Sequence, residues 1–322
     1  MSNLDVRVWA SLIAAVTLGG CSADPSPTEP APTPAKVERQ DPSVALGDLS
    51  DLPPAQRRAF EAHPEDFPPL REPGADDWLS FQNEAPQSVG NFWVAGPNKP
   101  GDEGRDTLYI LPLGPVGETD RLQAFAQDFF TLDVVVLPPA DMSSVEVTHR
   151  QHGSIRQALA GDLQTYLQSN LPDDAYAMIG LTREDLYPSD DFNYVFGLAS
   201  TTHRTGVFSL ARYDPRFWDP DAPENPTLAR ERAFKILAHE FGHMFGVGHC
   251  LHHSCLMNGA NHAEELDGAP LALCPVCLRK LHLLIGFDPE ARYRVLKARY
   301  EQEGLQSAST FVGTRISRIE SG

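Results

Sequence analysis

Residues 239–249 read HEFGHMFGVGH, and this stretch decides both the fold and the chemistry predicted for the chain. Four residues of an α-helix return a side chain to the same face, so His239 and His243 should lie about 6 Å apart along the axis. Two imidazoles at that spacing can bind one Zn²⁺. Gly246 permits the positive-φ turn that ends a helix abruptly. The chain can then fold back and offer His249 as a third ligand, which leaves the fourth zinc position open.

Glu240 follows the first histidine of this pattern and is displaced from it around the helix. Its carboxylate can therefore reach a water at the open zinc position without being a ligand. H-E-x-x-H alone occurs by chance in helices, whereas the full H-E-x-x-H-x-x-G-x-x-H is strong evidence for a catalytic metal. Two alternatives stay open, namely histidines that hold no metal and a metal site without catalysis.

The rest of the chain alternates strand-like and helix-like segments, which predicts an α/β fold with a mostly parallel sheet and packed helices. The helix that carries the histidines should span about Thr227–Phe245, because Pro226 precedes it and Gly246 follows it. Strands are expected at Leu108–Leu113, Leu132–Leu137, Ala175–Leu181, Tyr194–Ser200 and Gly206–Ala211. Further helices are expected at Arg121–Phe130, from a cap at Ser154 through Ile155 to Leu167, at Cys277–Phe287 and at Glu290–Tyr300.

Four cysteines in the pattern C-x₄-C…C-x₂-C follow the last histidine: Cys250, Cys255, Cys274 and Cys277. Four thiolates suit a closed tetrahedral Zn²⁺ site, whose role would be structural. Cys250 and His249 are neighbours whose side chains should point to opposite sides of extended backbone, so they can serve different metals. Two disulfides are the alternative, which an oxidising compartment would favour. His252 and His253, which lie between the first two cysteines, are expected to face solvent; the alternative is that they substitute as zinc ligands.

The N-terminus resembles a bacterial export signal. Residues 1–20 contain the apolar run Val8–Leu18, and Leu18-Gly19-Gly20-Cys21 resembles a lipobox, in which the cysteine is lipidated. We therefore expect an exported protein that is anchored to the bacterial cell envelope only through a lipid on Cys21. Ser22 follows the cysteine, which favours the outer membrane. A cleaved secretory peptide and an apolar cytosolic extension are the alternatives.

The composition suggests the following organisation. Residues 21–104 form a Pro-rich, acidic tether and an N-terminal segment that either drapes across the main domain or folds separately. Residues 105–305 form the main domain, with an upper part at 105–248 and a lower part at 249–305. Residues 306–322 are expected to form a flexible tail. The net charge of −18 makes nucleic acid an improbable partner, because an acidic surface repels phosphate.

The eleven-residue histidine motif resembles the metzincin signature, and Met257 fits the methionine turn that lies beneath the metal in that clan. Together with the four cysteines, the motif closely resembles the archaemetzincins over about residues 105–305. The resemblance implies a metzincin-like fold with an irregular, helical subdomain around the cysteines. It further implies two zinc ions per chain and a metallopeptidase that acts on peptides or proteins by a zinc-activated water, with Glu240 as general base. The alternative is a zinc-dependent protein that binds peptides or envelope partners with little or no catalysis.

Overall fold

Residues 40–321 are described in the computed structural model, so the predicted export signal and Cys21 lie outside the described part. The strands of this part are β1 Thr107–Pro112, β2 Val134–Val136, β3 His149–His152, β4 Ile155–Leu159, β5 Ala175–Thr182, β6 Asp185–Tyr187, β7 Gly197–Ser200 and β8 Thr205–Ser209. The α-helices are α1 Pro42–Leu46, α2 Pro54–Ala59, α3 Trp78–Phe81, α4 Val89–Val94, α5 Thr119–Phe130, α6 Ala160–Ser169, α7 Pro226–Met244, α8 Ala263–Gly268, α9 Pro275–Ile285, α10 Pro289–Gln302 and α11 Gln306–Glu320.

The main sheet has the strand order β2-β1-β5-β8-β7. Its first four strands are parallel, and β7 is an antiparallel edge strand. Every residue of β1 and β5 is buried, as expected for apolar central strands covered on both faces. The predicted mixed, mostly parallel α/β architecture is therefore confirmed.

Helix α7 lies against this sheet and is buried from Arg232 to its end. The Asn225 side chain accepts a hydrogen bond from the backbone N–H of Leu228, and Pro226 occupies the first turn, so the start of the helix is well defined. Its end follows from Gly246, whose φ of +82° turns the chain sharply away.

The helix predicted from Ser154 through Leu167 is wrong in its first half. Residues Ile155–Leu159 form strand β4, which pairs antiparallel with β3 and parallel with β6. Gly153, with a φ of +60°, makes the β3–β4 turn, and only the second half forms helix α6. The apolar residues that suggested a helical period are thus divided between a strand and a helix, because sheet pairing outweighs the local pattern.

The flexible tail predicted for residues 306–322 is also wrong, since Gln306–Glu320 form helix α11. Val312, Ile316 and Ile319 are buried at helical spacing, and α11 packs against α10 and α2. Arg315 is fully buried and forms an ion pair with Asp66 at 2.7 Å. The C-terminus is therefore part of the folded body.

The N-terminal segment drapes across the main domain from residue 40 onward. Phe60, Phe67 and Phe92 are buried in the main hydrophobic core together with residues of α7 and α9. Residue 104 is thus no structural boundary within the described part of the chain. Between residues 40 and 321, no helix has the length and apolar character needed to cross a membrane.

Candidate active site

Three histidines meet at the end of helix α7. His239 and His243 lie one turn apart on its buried face, and the turn at Gly246 brings His249 back towards them. The ring centroids are 4.5 Å apart for His239–His243, 5.3 Å for His239–His249 and 5.0 Å for His243–His249. One ring nitrogen from each histidine lies within 4.8 Å of the other two. The structure therefore brings the three predicted ligands together.

Hydrogen bonds fix the orientation of these rings. Nδ1 of His239 donates to the carbonyl of Leu256 at 3.0 Å, and Nδ1 of His243 donates to the carbonyl of Val247 at 2.8 Å. Nδ1 of His249 contacts a carboxylate, at 2.7 Å. With its proton on Nδ1, each ring can present the Nε2 lone pair to the shared centre.

This donor set suits a zinc ion. The Nε2 atoms of His239 and His243 are only 2.9 Å apart, and two lone pairs at that distance repel each other unless a cation lies between them. Nε2 of His249 is buried and has no hydrogen-bond partner in the described part of the chain. Burial, with a smaller effect from His249, lowers the pKa of His239 to about 3, and burial likewise lowers that of His243. Neutral imidazoles with free Nε2 are the form that binds zinc.

Glu240 lies beside this group and is fully buried. Neither of its carboxylate oxygens has a hydrogen-bond partner among residues 40–321. Space for the carboxylate comes from Gly197 on edge strand β7, where a Cβ would lie 2.6 Å from Oε1 of Glu240. Burial raises the pKa of Glu240 to about 8. A buried carboxylate without a partner is costly in a folded protein, which is typical of functional sites.

Met257 lies against helix α7 between the two helical histidines. A Cβ added at Gly242 would lie 2.6 Å from its Sδ and 3.0 Å from its Cε, so the thioether fills the space that this glycine leaves. The carbonyl of Met257 accepts a hydrogen bond from the N–H of Cys250 at 2.7 Å. Met257 therefore packs on helix α7 at Gly242, the residue before His243, and its turn is joined to the cysteine cluster.

The four cysteines form a second, separate cluster. All four are fully buried and their sulfur atoms lie within 4.8 Å of one another. The sulfur atoms of Cys250 and Cys274 are 3.6 Å apart, and Sγ of Cys255 accepts hydrogen bonds from the N–H groups of Met257 and Cys274. Convergence of four sulfurs on one point, rather than in two separated pairs, favours a tetrahedral metal over two disulfides.

The prediction that His252 and His253 face solvent is wrong. Both are buried, because the N-terminal segment crosses over them. Nδ1 of His253 donates to the carbonyl of Phe67 at 3.0 Å, and Nε2 of His252 is 3.3 Å from the carbonyl of Gln87. The same segment contributes residues to the histidine site that the sequence analysis missed, namely Trp78, Glu84 and Gln87. No motif marks them, because their partners lie far along the chain, 161 residues beyond Gln87 and 165 beyond Glu84.

The site combines a helical His-Glu-x-x-His motif, a third histidine beyond a glycine turn and a methionine packed on the same helix. This combination defines the metzincin class of zinc site.

Comparison with known proteins gives the family. The model of peptidase family M54 matches residues 129–283. Archaemetzincin-2 of Pongo abelii is 34% identical, over 74% of this chain and 76% of its own length. Archaemetzincin-1 of Mus musculus is 33% identical, over 70% of this chain and 52% of its own length.

Two solved structures are also similar. The archaemetzincin of Archaeoglobus fulgidus is 29% identical, with a TM-score of 0.43 over 54% of this chain and 99% of that one. The archaemetzincin of Methanopyrus kandleri is 26% identical, with a TM-score of 0.45 over 57% and 97%. On the similarity to archaemetzincin-2, the chain belongs to the archaemetzincin family and is a zinc-dependent metallopeptidase.

Proposed function

We propose that His239, His243 and His249 hold the catalytic zinc and that Glu240 is the general base of peptide-bond hydrolysis. One observation carries the proposal: three Nε2 atoms converge, with every Nδ1 already engaged, beside a buried carboxylate that has no partner in the described part of the chain. The substrate is a peptide or protein, as the family implies.

The chemistry divides between the metal and Glu240. When bound, zinc supplies a Lewis acid that activates water and polarises the scissile carbonyl. Glu240 accepts a proton from the attacking water on a carboxylate oxygen and then transfers it to the nitrogen of the leaving amine. The raised pKa of Glu240 suits a group that must both take and return a proton, and a nearby dication favours the ionised form that starts the cycle. Its shielded position keeps bulk water from competing for the proton.

Glu240→Gln tests this assignment, because the amide keeps the size of the side chain but cannot accept the proton. We expect the kcat for peptide hydrolysis to fall about 10²- to 10⁴-fold, the range typical for loss of a general base, while the zinc content stays unchanged. Glu301→Gln is the control, since Glu301 lies on helix α10, is half exposed and pairs with Lys297. Retained activity in Glu240→Gln would exclude Glu240 as the base, and loss of zinc would place it among the ligands instead.

We further propose that Cys250, Cys255, Cys274 and Cys277 hold a second, structural zinc. Four thiolates leave no position for water, so this site would join the loop of His249 and Met257 to helix α9. Metal analysis of the purified chain should give two zinc ions, with thiols that react with an alkylating reagent only after denaturation. One zinc per chain together with two disulfides, measured by mass spectrometry, would contradict this proposal.

Anchoring to the bacterial envelope through a lipid on Cys21 is likewise our proposal, supported by the lipobox-like Leu18–Cys21 sequence. Metabolic labelling with a fatty acid in a bacterial host should mark the wild-type chain but not Cys21→Ala. The variant should also move from the membrane fraction to the soluble fraction. Equal labelling of both chains would reject lipidation at Cys21.

A further inference from the structure

We propose that Glu84, in the N-terminal segment, is a positioning residue for His249 and makes this segment part of the catalytic metal site. This inference rests on the proposed role of His249 as a zinc ligand. Oε1 of Glu84 accepts a hydrogen bond from Nδ1 of His249 at 2.7 Å, and Nε1 of Trp78 donates to the same oxygen at 3.0 Å. The His249 side chain is 5% exposed and that of Glu84 25%, but the second carboxylate oxygen of Glu84 is buried, so the contact lies on the protein side of the carboxylate.

The electrostatic consequence distinguishes His249 from the other two histidines. Nδ1 of His239 and of His243 donates to neutral backbone carbonyls, whereas His249 donates to a carboxylate. A carboxylate on Nδ1 fixes the tautomer and the ring orientation, and it makes Nε2 a stronger donor to a metal. His249 lies on a loop, beyond the helix that holds the other two rings, so it depends most on an external support.

Trp78 supports the carboxylate from the other side. Its ring is 3% exposed and meets the His249 ring edge-on, with centroids 5.2 Å apart. Gly259 makes room for it, since a Cβ there would lie 2.3 Å from Cδ1 of the indole. The indole therefore fixes both the position of His249 and, through its N–H, the position of Glu84.

Gln87 holds the backbone that leads to His249. Its Oε1 accepts from the N–H of Gly248 at 2.9 Å, and its Nε2 donates to the carbonyl of Gly246 at 3.1 Å. The buried Lys280 of helix α9 donates to the same Oε1 at 2.9 Å. Glu84 thus holds the side chain of His249, and Gln87, three residues later, holds the backbone of the same loop.

A polar cluster anchors this stretch to the lower part of the molecule. Asp77 accepts hydrogen bonds from His262 at 3.0 Å and from the N–H of Gly74 at 2.7 Å, and Glu265 accepts from the N–H of Trp78 at 3.0 Å. The side chains of Asp77, His262 and Glu265 lie close enough to share a metal, but they already bond to one another and to the backbone. Their role is to hold the segment where Glu84 reaches His249.

The test compares Glu84→Ala and Glu84→Gln by their affinity for zinc at the histidine site, measured by competition with a chelator. Loss of an outer-shell carboxylate typically costs 10- to 100-fold in metal affinity, and we expect a loss in that range for Glu84→Ala. Glu84→Gln keeps an oxygen acceptor but loses the negative charge, so its zinc affinity should lie between those of Glu84→Ala and the wild type. Asp76→Ala is the matched control, because it removes an exposed carboxylate from the same segment.

A double-mutant cycle with His249→Ala shows whether Glu84 acts through His249. In the His249→Ala background, Glu84→Ala should change the residual zinc affinity less than twofold. Cobalt substitution adds a spectroscopic readout, since the bands of the histidine site should shift in Glu84→Ala while the sulfur-to-cobalt bands of the cysteine site stay unchanged.

Each outcome decides one question. If Glu84→Ala binds zinc as tightly as the wild type, or if it loses affinity equally with and without His249, the positioning role is refuted. If Glu84→Ala does not fold, the isosteric Glu84→Gln decides the question. A zinc affinity and a cobalt spectrum equal to those of the wild type would then refute a role of the carboxylate charge. If the wild-type histidine site binds no zinc at all, the proposed function fails, and this result is separate from the first two.

Discussion

A methyl group added at Gly197 should move Glu240, the proposed general base, without unfolding the protein. In Gly197→Ala the new Cβ would lie 2.6 Å from Oε1 and 2.9 Å from Cδ of Glu240. Ordinary van der Waals contact begins at 3.4 Å, so the carboxylate must retreat by about 0.8 Å. The strained atoms are the end of a flexible side chain, so the cost to folding should lie at the low end of the ~1–3 kcal/mol typical of overpacking.

Catalysis tolerates such a displacement far less than folding does. A misplacement of about 1 Å can cost on the order of 10² in rate, which corresponds to about 2.7 kcal/mol of transition-state stabilisation. We therefore expect the kcat of Gly197→Ala for peptide hydrolysis to fall about 100-fold. The zinc content should remain that of the wild type, and the Tm should fall by only a few degrees.

The assay is steady-state peptide hydrolysis, combined with metal analysis and thermal unfolding of the same samples. Gly161→Ala is the control, because a Cβ at Gly161 in helix α6 meets nothing within 4 Å. Its kcat should match the wild type, and its stability should be equal or slightly higher. A kcat of Gly197→Ala within twofold of the wild type would refute the steric reasoning. A fall in zinc content that matches the fall in rate would refute it as well, since the metal and not the base would then be disturbed.

Three further results are expected. Cys277→Ala should reduce the zinc content to about one per chain and lower the Tm, and an unchanged count of two would speak against the four-cysteine site. Gly259→Ala should displace Trp78 and change its fluorescence, whereas an unaltered emission spectrum would contradict the tight contact. Asp66→Asn should lower the free energy of unfolding by about 1.5–3 kcal/mol near neutral pH, because the buried Arg315 loses its carboxylate partner and keeps only backbone carbonyls as acceptors. Burial opposes ionisation of Asp66, but Arg315 and Arg318 outweigh burial and lower the pKa of Asp66. The difference in urea-denaturation midpoint between Asp66→Asn and the wild type should therefore disappear as the pH falls through that lowered pKa. A difference that does not change with pH would contradict the ion pair.

Local chemistry explains which parts of the fold could be predicted from sequence. Nearby residues determine where helix α7 begins and ends, and they also determine the central strands β1 and β5. The observed boundaries of these elements lie within one or two residues of the predicted ones. The convergence of the histidines follows from helical spacing and one turn. The four-cysteine cluster follows from ligand spacing in the same way.

What could not be predicted depends on distant partners. Strand β4 exists because β3 and β6 pair with it, although its own residues suit a helix. Helix α11 is ordered by its packing on α10 and by the ion pair of Arg315 with Asp66, which are 249 residues apart in sequence. Glu84 is one of many acidic residues in a Pro-rich stretch, and nothing local distinguishes it from its neighbours.

The pairing of Arg315 with Asp66 has a consequence for the nascent chain. The ribosome synthesises helix α7, with its histidines, well before helix α11. A nascent chain therefore already contains His239 and His243 while the helix that pairs with Asp66 has not yet been synthesised. If the N-terminal segment settles on the loop of His249 only after α11 has closed on Asp66, proteolytic activity appears only in the finished molecule. Newly made proteins nearby would then be spared from cleavage by incomplete copies.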